Sequence, residues 1–207
     1  MKSRPAVIVM AAGRGSRFYG RDHKLAQMLD DSTVLATTLR NAVASQLPVV
    51  IVTTVRFAEL ARRSLAAMDV IVLPEVGEPV QSPLGVGYSI AMGVSARPDA
   101  DGWVLLPGDM PMVRPETLRA VAAQLADHPV VCAQYKGKRG HPVGFAAELY
   151  SELAVLSGDL GAQRLVARYP ALGLDVVDPG VLIGIDTEAD LERARKLIGA
   201  SAQVLPR

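Results

Sequence analysis

Val7-Ile8-Val9-Met10-Ala11-Ala12-Gly13-Arg14-Gly15-Ser16-Arg17 is the stretch that decides the fold, because a short apolar run passes directly into a glycine-rich, basic loop. Such a run of valine and isoleucine is typical of a buried strand in a parallel sheet. Similar runs recur along the chain and alternate with longer segments of helical spacing. The pattern predicts an α/β fold built from β-α-β units around a mostly parallel central sheet.

The same periodicity predicts where the elements lie. Strands are predicted near 7–11, 49–53, 70–73, 103–106, 130–133 and 181–185, and helices near 33–45, 57–67, 86–96, 115–126, 162–168 and 188–197. Asp31 and Ser32 are suited to cap the first helix, and Pro115 with Glu116 to begin the fourth. The segment 136–161 breaks the alternation, which suggests a subregion laid against the main sheet. Without repeats or linkers, residues 1–199 are expected to form one domain and 200–207 a loose tail.

Composition excludes several classes of protein. Half of the 207 residues are hydrophobic and 21% are charged, which argues against disorder, and no apolar run approaches the roughly 18 residues that cross a bilayer. A net charge of +1 with 4% aromatic residues does not favour a nucleic-acid platform. No secretory signal is recognisable, so we expect a cytoplasmic protein. Cys132 lies in an apolar run and is expected to be a core residue.

The loop after the first predicted strand is suited to phosphate groups. Gly13 and Gly15 allow successive backbone N–H groups to converge on anionic oxygens, while Arg17 and Lys24 add positive charge that can balance charge shifting during a reaction. The alternative is that the glycines only shape a turn and the basic side chains are solvated. A dinucleotide fingerprint is disfavoured because Phe18 occupies its third glycine position, and a Walker loop because Gly-Lys-Ser or Gly-Lys-Thr is absent.

Two acidic residues follow predicted strands, at the edge where parallel sheets bind ligands. Asp109 stands in Pro107-Gly108-Asp109-Met110-Pro111, and Asp186 in Gly184-Ile185-Asp186-Thr187. Magnesium prefers hard oxygen ligands such as carboxylates, so Asp109 is well placed for a metal. The structural alternatives are a turn at Asp109 and a helix entry at Asp186, where Thr187 and Asp190 form a capping-box-like pair.

These motifs resemble those of the molybdenum cofactor nucleotidyltransferases. Their opening signature is matched at Ala11, Ala12, Gly13, Arg17 and Lys24, and their metal-site motif Gly-Asp-Met-Pro is matched intact at 108–111. Their closing motif is matched at 186–191, except that Ala189 breaks its order. Serine is displaced to Ser16, Phe18 replaces methionine, and the stretch between Arg17 and Lys24 is longer than usual. The resemblance implies a glycosyltransferase-A-like, Rossmann-related three-layer fold, catalytic roles for Arg17, Lys24 and Asp109, and a magnesium site at Asp109 and Asp186.

The resemblance also implies where the nucleotide binds. It assigns nucleotide contacts to the first loop and to a second glycine segment on the nucleobase side, namely Ala11, Ala12, Gly13, Arg14, Gly15, Ser16, Pro83, Gly85 and Gly87. A helix start with glycines needed for packing is the alternative for the second segment. Ala-Ala-Gly in the first loop is the cytidylyltransferase pattern. The Ala12 methyl would narrow the base pocket in favour of a pyrimidine, a preference of about 1 to 3 kcal/mol.

A later pair of motifs also resembles the cytidylyltransferase branch. Arg139-Gly140-His141-Pro142-Val143 and Gly158-Asp159-Leu160-Gly161 imply that Arg139, His141 and Asp159 bind the acceptor. Alternatively, His141 bridges backbone groups in a turn and Asp159 orients Arg139. His23 and His128 have no constellation around them and are expected to be surface or loop residues.

The expectation is therefore a magnesium-dependent nucleotidyltransferase that joins CMP from CTP to a phosphorylated small molecule and releases pyrophosphate. The resemblance makes molybdopterin, in its metal-loaded form, the expected acceptor and a molybdenum hydroxylase a possible recipient. Two alternatives remain: a different acceptor, such as a sugar phosphate or a phosphorylated alcohol, and a non-catalytic nucleotide-binding accessory protein for molybdenum hydroxylases. Another nucleoside triphosphate in place of CTP also stays open.

Overall fold

The computed structural model describes residues 4–15, 17–20, 22–74 and 85–202. Its strands are β1 (Ala6–Ala11), β2 (Val49–Thr54), β3 (Val70–Leu73), β4 (Gly102–Pro107), β5 (Val130–Tyr135), β6 (Lys138–Ala146) and β7 (Ala171–Asp175). They form one sheet in the order β3-β2-β1-β4-β6-β5-β7. Strand β6 is antiparallel to β4 and β5, and the other neighbouring pairs are parallel.

The helices of the described chain are α1 (Val34–Ala44), α2 (Val55–Arg62), α3 (Gly85–Ser95), α4 (Pro115–Gln124), α5 (Tyr150–Leu153), α6 (Gln163–Arg168) and α7 (Glu188–Ala202). Short 3-10 turns cover Lys24–Ala26, Ala67–Asp69, Ala147–Leu149 and Pro179–Leu182. Within the described ranges, no helix combines the length and the apolar character that crossing a membrane requires.

Helices cover both faces of the sheet, which explains why its strands are almost uninterrupted apolar runs. Alternate residues of β1 point to opposite faces: Val7 and Val9 belong to one hydrophobic cluster, and Ile8 to the other. Residues of α1, α2, α4 and α7 complete the first cluster, and residues of α3, α5 and α6 complete the second. The predicted three-layer α/β fold is confirmed.

Most predicted elements are present, with three corrections to their extent. Five of the six predicted strands are found with ends shifted by at most two residues, and the six predicted helices are all present. The strand predicted at 181–185 is wrong, because Pro179–Leu182 form a 3-10 turn that the Asp178 side chain caps through the Gly180 N–H. Helix α2 ends at Arg62, before the predicted boundary. Helix α7 continues to Ala202, into the stretch expected to be a tail, and 203–207 lie outside the described residues.

The segment 136–161 does not lie against the sheet as a separate subregion, because its first part is strand β6 inside the sheet. A two-residue turn with positive φ at Lys136 (50°) and Gly137 (76°) connects β5 to β6, as expected for a tight hairpin. The polar start of β6, Lys138-Arg139-Gly140-His141, hid this strand from the hydrophobic pattern. The short edge strand β7 was also missed.

Side chains cap two helices, one of them as predicted. Thr33, rather than Asp31 or Ser32, caps α1, since its Oγ1 accepts a hydrogen bond from the Ala36 N–H at 3.2 Å. At α7 the predicted capping box is confirmed. The Asp190 N–H donates to Thr187 Oγ1 at 3.2 Å, and Asp190 Oδ2 accepts from the Thr187 N–H at 2.9 Å.

A buried carboxylate that the sequence did not single out joins α4 to the 3-10 turn at Pro179–Leu182. Asp178 is 3% exposed. Its Oδ2 accepts hydrogen bonds from the Arg114 N–H at 2.9 Å and Thr117 Oγ1 at 2.6 Å, and its Oδ1 accepts from the Gly180 N–H at 2.9 Å. The contact thereby fixes the start of the segment that leads to Asp186.

Replacing Asp178 with alanine should lower the free energy of unfolding by about 3 kcal/mol, because each buried donor left without an acceptor costs about 1 to 3 kcal/mol. Urea denaturation measures the loss. Asp127→Ala, at an exposed position after α4, is the control and should change stability by less than about 0.5 kcal/mol. A loss at Asp178 no larger than that of the control would contradict the assignment.

Candidate active site

A cleft of about 1020 Å³ opens at the carboxyl ends of β1 and β4, the edge at which open α/β sheets bind ligands. It brings together most of the residues singled out from the sequence: Ala11, Ala12, Gly13, Arg14, Gly15, Arg17, Lys24, Gly85, Asp109, Arg139, His141 and Asp159. Gly87 and Asp186 do not line the cleft, but Asp186 is hydrogen-bonded to Lys24, which does. Ser16 and Pro83 lie outside the described residues.

Two aspartates from distant parts of the chain meet at one ammonium group. The Lys24 Nζ donates to Asp109 Oδ2 at 2.5 Å and to Asp186 Oδ1 at 2.8 Å. The side chains of Lys24 and Asp109 are 13% and 20% exposed, so the contact is largely shielded from water. The expected convergence of Asp109 and Asp186 is thus present in the fold.

Backbone hydrogen bonds explain why the two carboxylates meet. The Gly108 N–H donates to the Met10 carbonyl at 2.8 Å, which ties the loop after β4 to the end of β1. A Cβ at Gly108 would lie 3.0 Å from the Met10 carbonyl oxygen, so glycine suits this close approach. The Ile185 N–H donates to the Asp109 carbonyl at 2.9 Å. The backbone next to Asp186 is therefore joined to Asp109 itself.

Two polar residues of α1 hydrogen-bond to the backbone of the Asp109 loop and hold it in place. Neither residue was singled out from the sequence. Thr38 is fully buried, and its Oγ1 donates to the Gly108 carbonyl at 2.9 Å. Asn41 donates through Nδ2 to the carbonyls of Pro111 at 2.9 Å and Val113 at 3.1 Å. The sequence does contain a signal for this contact: the two residues are polar, lie three positions apart, and fall on the buried side of an amphipathic helix.

The carboxylate pair fits a divalent cation. Burial disfavours the charged form of Lys24, but Asp109 and Asp186 outweigh it, and the pKa of Lys24 is raised from its usual value. A cation already occupies the point between the two carboxylates, whose oxygens are the hard ligands that magnesium prefers. No group of three or more His, Cys, Asp or Glu side chains suited to a metal occurs among the described residues. Phosphate oxygens and water must therefore complete the coordination of any such ion.

His23 lies in a loop, as expected, and its ring also holds the first loop in place. Its Nδ1 accepts from the Leu25 N–H at 3.2 Å, and its Nε2 lies 3.0 Å from the Gly13 carbonyl. Because Nδ1 accepts, the ring is neutral and Nε2 is the donor. The ring also packs edge-on against Phe57 at 5.0 Å between centroids. The long stretch between Arg17 and Lys24 thus returns to Gly13.

The glycines of the first loop differ in what they permit. Gly15 has a φ of +64°, which favours glycine, whereas a Cβ at Gly13 would meet no atom of the described residues within 4 Å. Packing against the described part of the chain therefore does not require glycine at position 13, and the open space there is available to a ligand. Arg17 lies at the rim, with its Nη2 3.2 Å from Asp186 Oδ1 and its side chain 77% exposed. So exposed a pair adds little stability, which leaves the guanidinium available to a ligand.

On the other side of the cleft, His141 carries a buried polar atom that has no partner in the part of the chain the structure describes. Its Nδ1 forms no hydrogen bond with those residues, which argues against the backbone-bridging alternative. Burial lowers the pKa of His141, although nearby Asp109 acts in the opposite direction. No ion pair joins Arg139 to Asp159 within the described chain, so the alternative that Asp159 orients Arg139 is not realised.

The floor between these groups is apolar. Val143 of β6 is paired with Leu105 of β4 and with Cys132 of β5, and all three line the cleft. Cys132 is 2% exposed, as expected for a core residue, and burial raises the pKa of its thiol. Ser89 of α3, 8% exposed, adds a hydroxyl group to the cleft wall, which the sequence reasoning did not list as a site residue.

Comparison with known proteins identifies related chains. Residues 7–172 match the family model described as a MobA-like NTP transferase domain. The solved structure of Rv0371c from Mycobacterium tuberculosis superposes with a TM-score of 0.78 at 29% identity, covering 95% of this chain and 99% of that chain. Rv0371c in complex with manganese gives a TM-score of 0.76 at 29% identity, covering 95% and 100%.

Two further matches are more distant or partial. Molybdopterin-guanine dinucleotide biosynthesis protein A from Archaeoglobus fulgidus shares the fold, with a TM-score of 0.67 at 21% identity over 94% of this chain and 99% of that chain. Bifunctional protein GlmU from Alkalilimnicola ehrlichii is 33% identical over 125 residues, which is 60% of this chain. The chain spans only 26% of the length of that relative.

The neutral ring of His23 should make stability depend on pH. The pKa of His23 is lowered from its ordinary 6.5, chiefly by burial, so the unfolded chain takes up this proton at a higher pH than the folded chain. The stability contribution of the neutral ring is complete above pH 6.5 and declines as the pH falls below that value towards the lowered pKa. Urea denaturation between pH 7.5 and 5.5 should show this loss, which cannot exceed about 1.4 kcal/mol per pH unit.

His23→Gln, which has no titrating ring, is the matched control for this measurement. Its unfolding free energy should fall less than that of the wild type over the same interval. Equal losses in the two proteins would show that His23 is not the group responsible.

Proposed function

This chain belongs to the family of MobA-like NTP transferase domains, and from that premise we propose that it is a nucleotidyltransferase that transfers CMP from CTP to a phosphorylated small molecule. The observation that carries the proposal is the meeting of Asp109 and Asp186 at the Lys24 ammonium, beside the glycine loop. This arrangement would provide carboxylates, cations and the backbone N–H groups of the glycine loop near one point, which the transfer of a charged phosphoryl group requires.

The proposed reaction depends on the alignment of the two reactants more than on acid–base catalysis. An oxygen of the acceptor phosphate forms a bond to the α-phosphorus of the nucleotide, and the bond from that phosphorus to the β-phosphate oxygen breaks. Pyrophosphate leaves with the electron pair, so no proton has to move. Since the acceptor oxygen is already anionic near neutral pH, the cleft has to hold both reactants in line and stabilise charge on the leaving group.

On the donor side, the N–H groups of residues 13–15 would bind phosphate oxygens, with Arg14, Arg17 and Lys24 supplying positive charge. Asp109 and Asp186 would hold Mg²⁺, which when bound supplies charge that neutralises the phosphates. The manganese complex of Rv0371c supports a divalent metal. The methyl group of Ala12 on the cleft wall supports a pyrimidine base and hence CTP.

On the acceptor side, Arg139, His141 and Asp159 would bind the phosphorylated molecule. Arg139 would pair with its phosphate, and the unpartnered Nδ1 of His141 would gain a hydrogen bond. The apolar floor of Leu105, Cys132 and Val143 favours an acceptor with a ring system, such as molybdopterin. A sugar phosphate would leave hydroxyl groups there without partners. A molybdenum hydroxylase would then be the recipient of the product.

The decisive test measures the release of pyrophosphate from CTP by the protein in the presence of Mg²⁺ and molybdopterin. Asp109→Asn should lower kcat at least about 100-fold, as the loss of one organised electrostatic contact does in other enzymes, with the melting temperature nearly unchanged. Asp127→Asn should leave kcat unchanged. Retention of most activity in Asp109→Asn would contradict the metal site, and CTP binding by the wild type without any pyrophosphate release would favour the accessory-protein alternative.

Base preference can be ranked by thermal shift with CTP, GTP, ATP and UTP in the presence of Mg²⁺. A nucleotide at 100 times its Kd stabilises the folded state by about 2.7 kcal/mol. Gly13→Ala should raise the Kd of the preferred nucleotide at least about tenfold, because the new methyl group occupies the space beside the loop N–H groups, while the unliganded melting temperature stays the same.

Gly199→Ala in α7 is the matched control, since a Cβ there also meets no atom within 4 Å among the described residues. It should leave nucleotide affinity unchanged. An unaltered Kd in Gly13→Ala would show that the phosphates bind elsewhere.

A further inference from the structure

The two glycines that begin α3 pack against the loop that carries Asp159. A Cβ at Gly85 would lie 2.3 Å from the carbonyl carbon of Gly158 and 2.8 Å from the Asp159 nitrogen. A Cβ at Gly87 would lie 2.7 Å from both the carbonyl carbon and the carbonyl oxygen of Ser157. All four distances are too short for a side chain, so any substitution would push the backbone of 157–159 away from the helix.

A hydrogen bond reinforces the contact. The Gly87 N–H belongs to the first turn of α3, where backbone donors lack partners within the helix, and it donates to the Gly158 carbonyl at 2.9 Å. The loop opposite α3 also contains a glycine: a Cβ at Gly161 would lie 2.7 Å from Val86 Cγ1. Residues 85–87 and 157–161 therefore interlock through glycines on both sides.

The position of Asp159 depends on this contact. Within the described chain its carboxylate forms no hydrogen bond or ion pair, so the backbone that carries it decides where it lies. Gly85, Asp159 and Gly161 line the cleft, whereas Gly87 does not. Gly87 thus touches the acceptor-side loop without facing the space that a nucleotide would occupy.

We propose that Gly87, with Gly85, is a positioning residue for the acceptor side of the cleft: it holds the backbone of 157–159 so that Asp159 faces the cleft with Arg139 and His141. The identity of the acceptor in this statement rests on the proposed function, but the packing role does not. The assignment replaces direct nucleobase contact as the reason for glycine at position 87.

The test is Gly87→Ala, because Gly87 does not have a positive φ and alanine suits the helix itself. Hydrogen–deuterium exchange of the 155–163 amides should become at least tenfold faster, while the Kd of CTP with Mg²⁺, from calorimetry, stays within twofold of the wild type. In the pyrophosphate assay, the KM for molybdopterin should rise at least tenfold with kcat changed less than threefold.

Gly93→Ala is the matched control, since it lies in the same helix but contacts the sheet. A Cβ there would lie 2.3 Å from Ile8 Cγ2. It should lower stability without a loop-specific gain in exchange and without a change in the KM for molybdopterin. Asp159→Ala provides a second variant: adding Gly87→Ala to it should raise the KM little further, because the positioned side chain is already gone.

The proposal is overturned if Gly87→Ala weakens CTP binding tenfold or more, or leaves exchange of the 155–163 amides unchanged. Absence of pyrophosphate release by the wild type with CTP and molybdopterin would instead refute the proposed function. The exchange and CTP-affinity measurements would then still decide the role of Gly87.

Discussion

The cleft depends on one ammonium group held between two carboxylates. Asp109 and Asp186 both contact the ammonium group of Lys24, which comes from the first loop. Without a cation between them, the two carboxylates would repel each other. One ammonium group does not neutralise two carboxylates, so these three side chains together carry an excess negative charge. Arg17 balances that charge only from an exposed position. The site therefore retains affinity for a further cation, and this is the physical reason why a pair of carboxylates that holds a lysine also suits a divalent metal.

Local contacts make that meeting of charges possible. The Asp109 loop is held on one side by the end of β1 and on another by Thr38 and Asn41 of α1. The Asp186 segment is tied to the Asp109 backbone through Ile185. Satisfied backbone carbonyls in a buried loop cannot shift without losing hydrogen bonds. The carboxylates are thus positioned before any ligand arrives, and catalysis by electrostatic stabilisation depends on such organisation.

The two sides of the cleft differ in the chemical groups that line them. On the side proposed for the nucleotide, the described residues leave open space beside Gly13. On the side proposed for the acceptor, an apolar floor carries a few polar groups, among them the His141 Nδ1, which has no hydrogen-bond partner among the described residues. Helix α3 borders both halves, and its first turn is locked by glycines to the Asp159 loop. A movement of the first turn of α3 would therefore also move the loop that carries Asp159.

The sequence by itself determined the α/β class, five of the strands, six of the helices and many of the residues that line the cleft. Hydrophobic periodicity, glycine and charge are local properties that a single strand or loop displays. Only the tertiary structure decided that β6 enters the sheet between β4 and β5, that residues 179–182 form a turn, and that His23, Thr38 and Asn41 hold the loops. The contacts of Thr38 and Asn41 and the pairing of β6 with β4 depend on partners far away in the chain. The polar start of β6 becomes a strand because its neighbours supply hydrogen bonds, and a glycine such as Gly87 shows its packing role only when the loop opposite it is known.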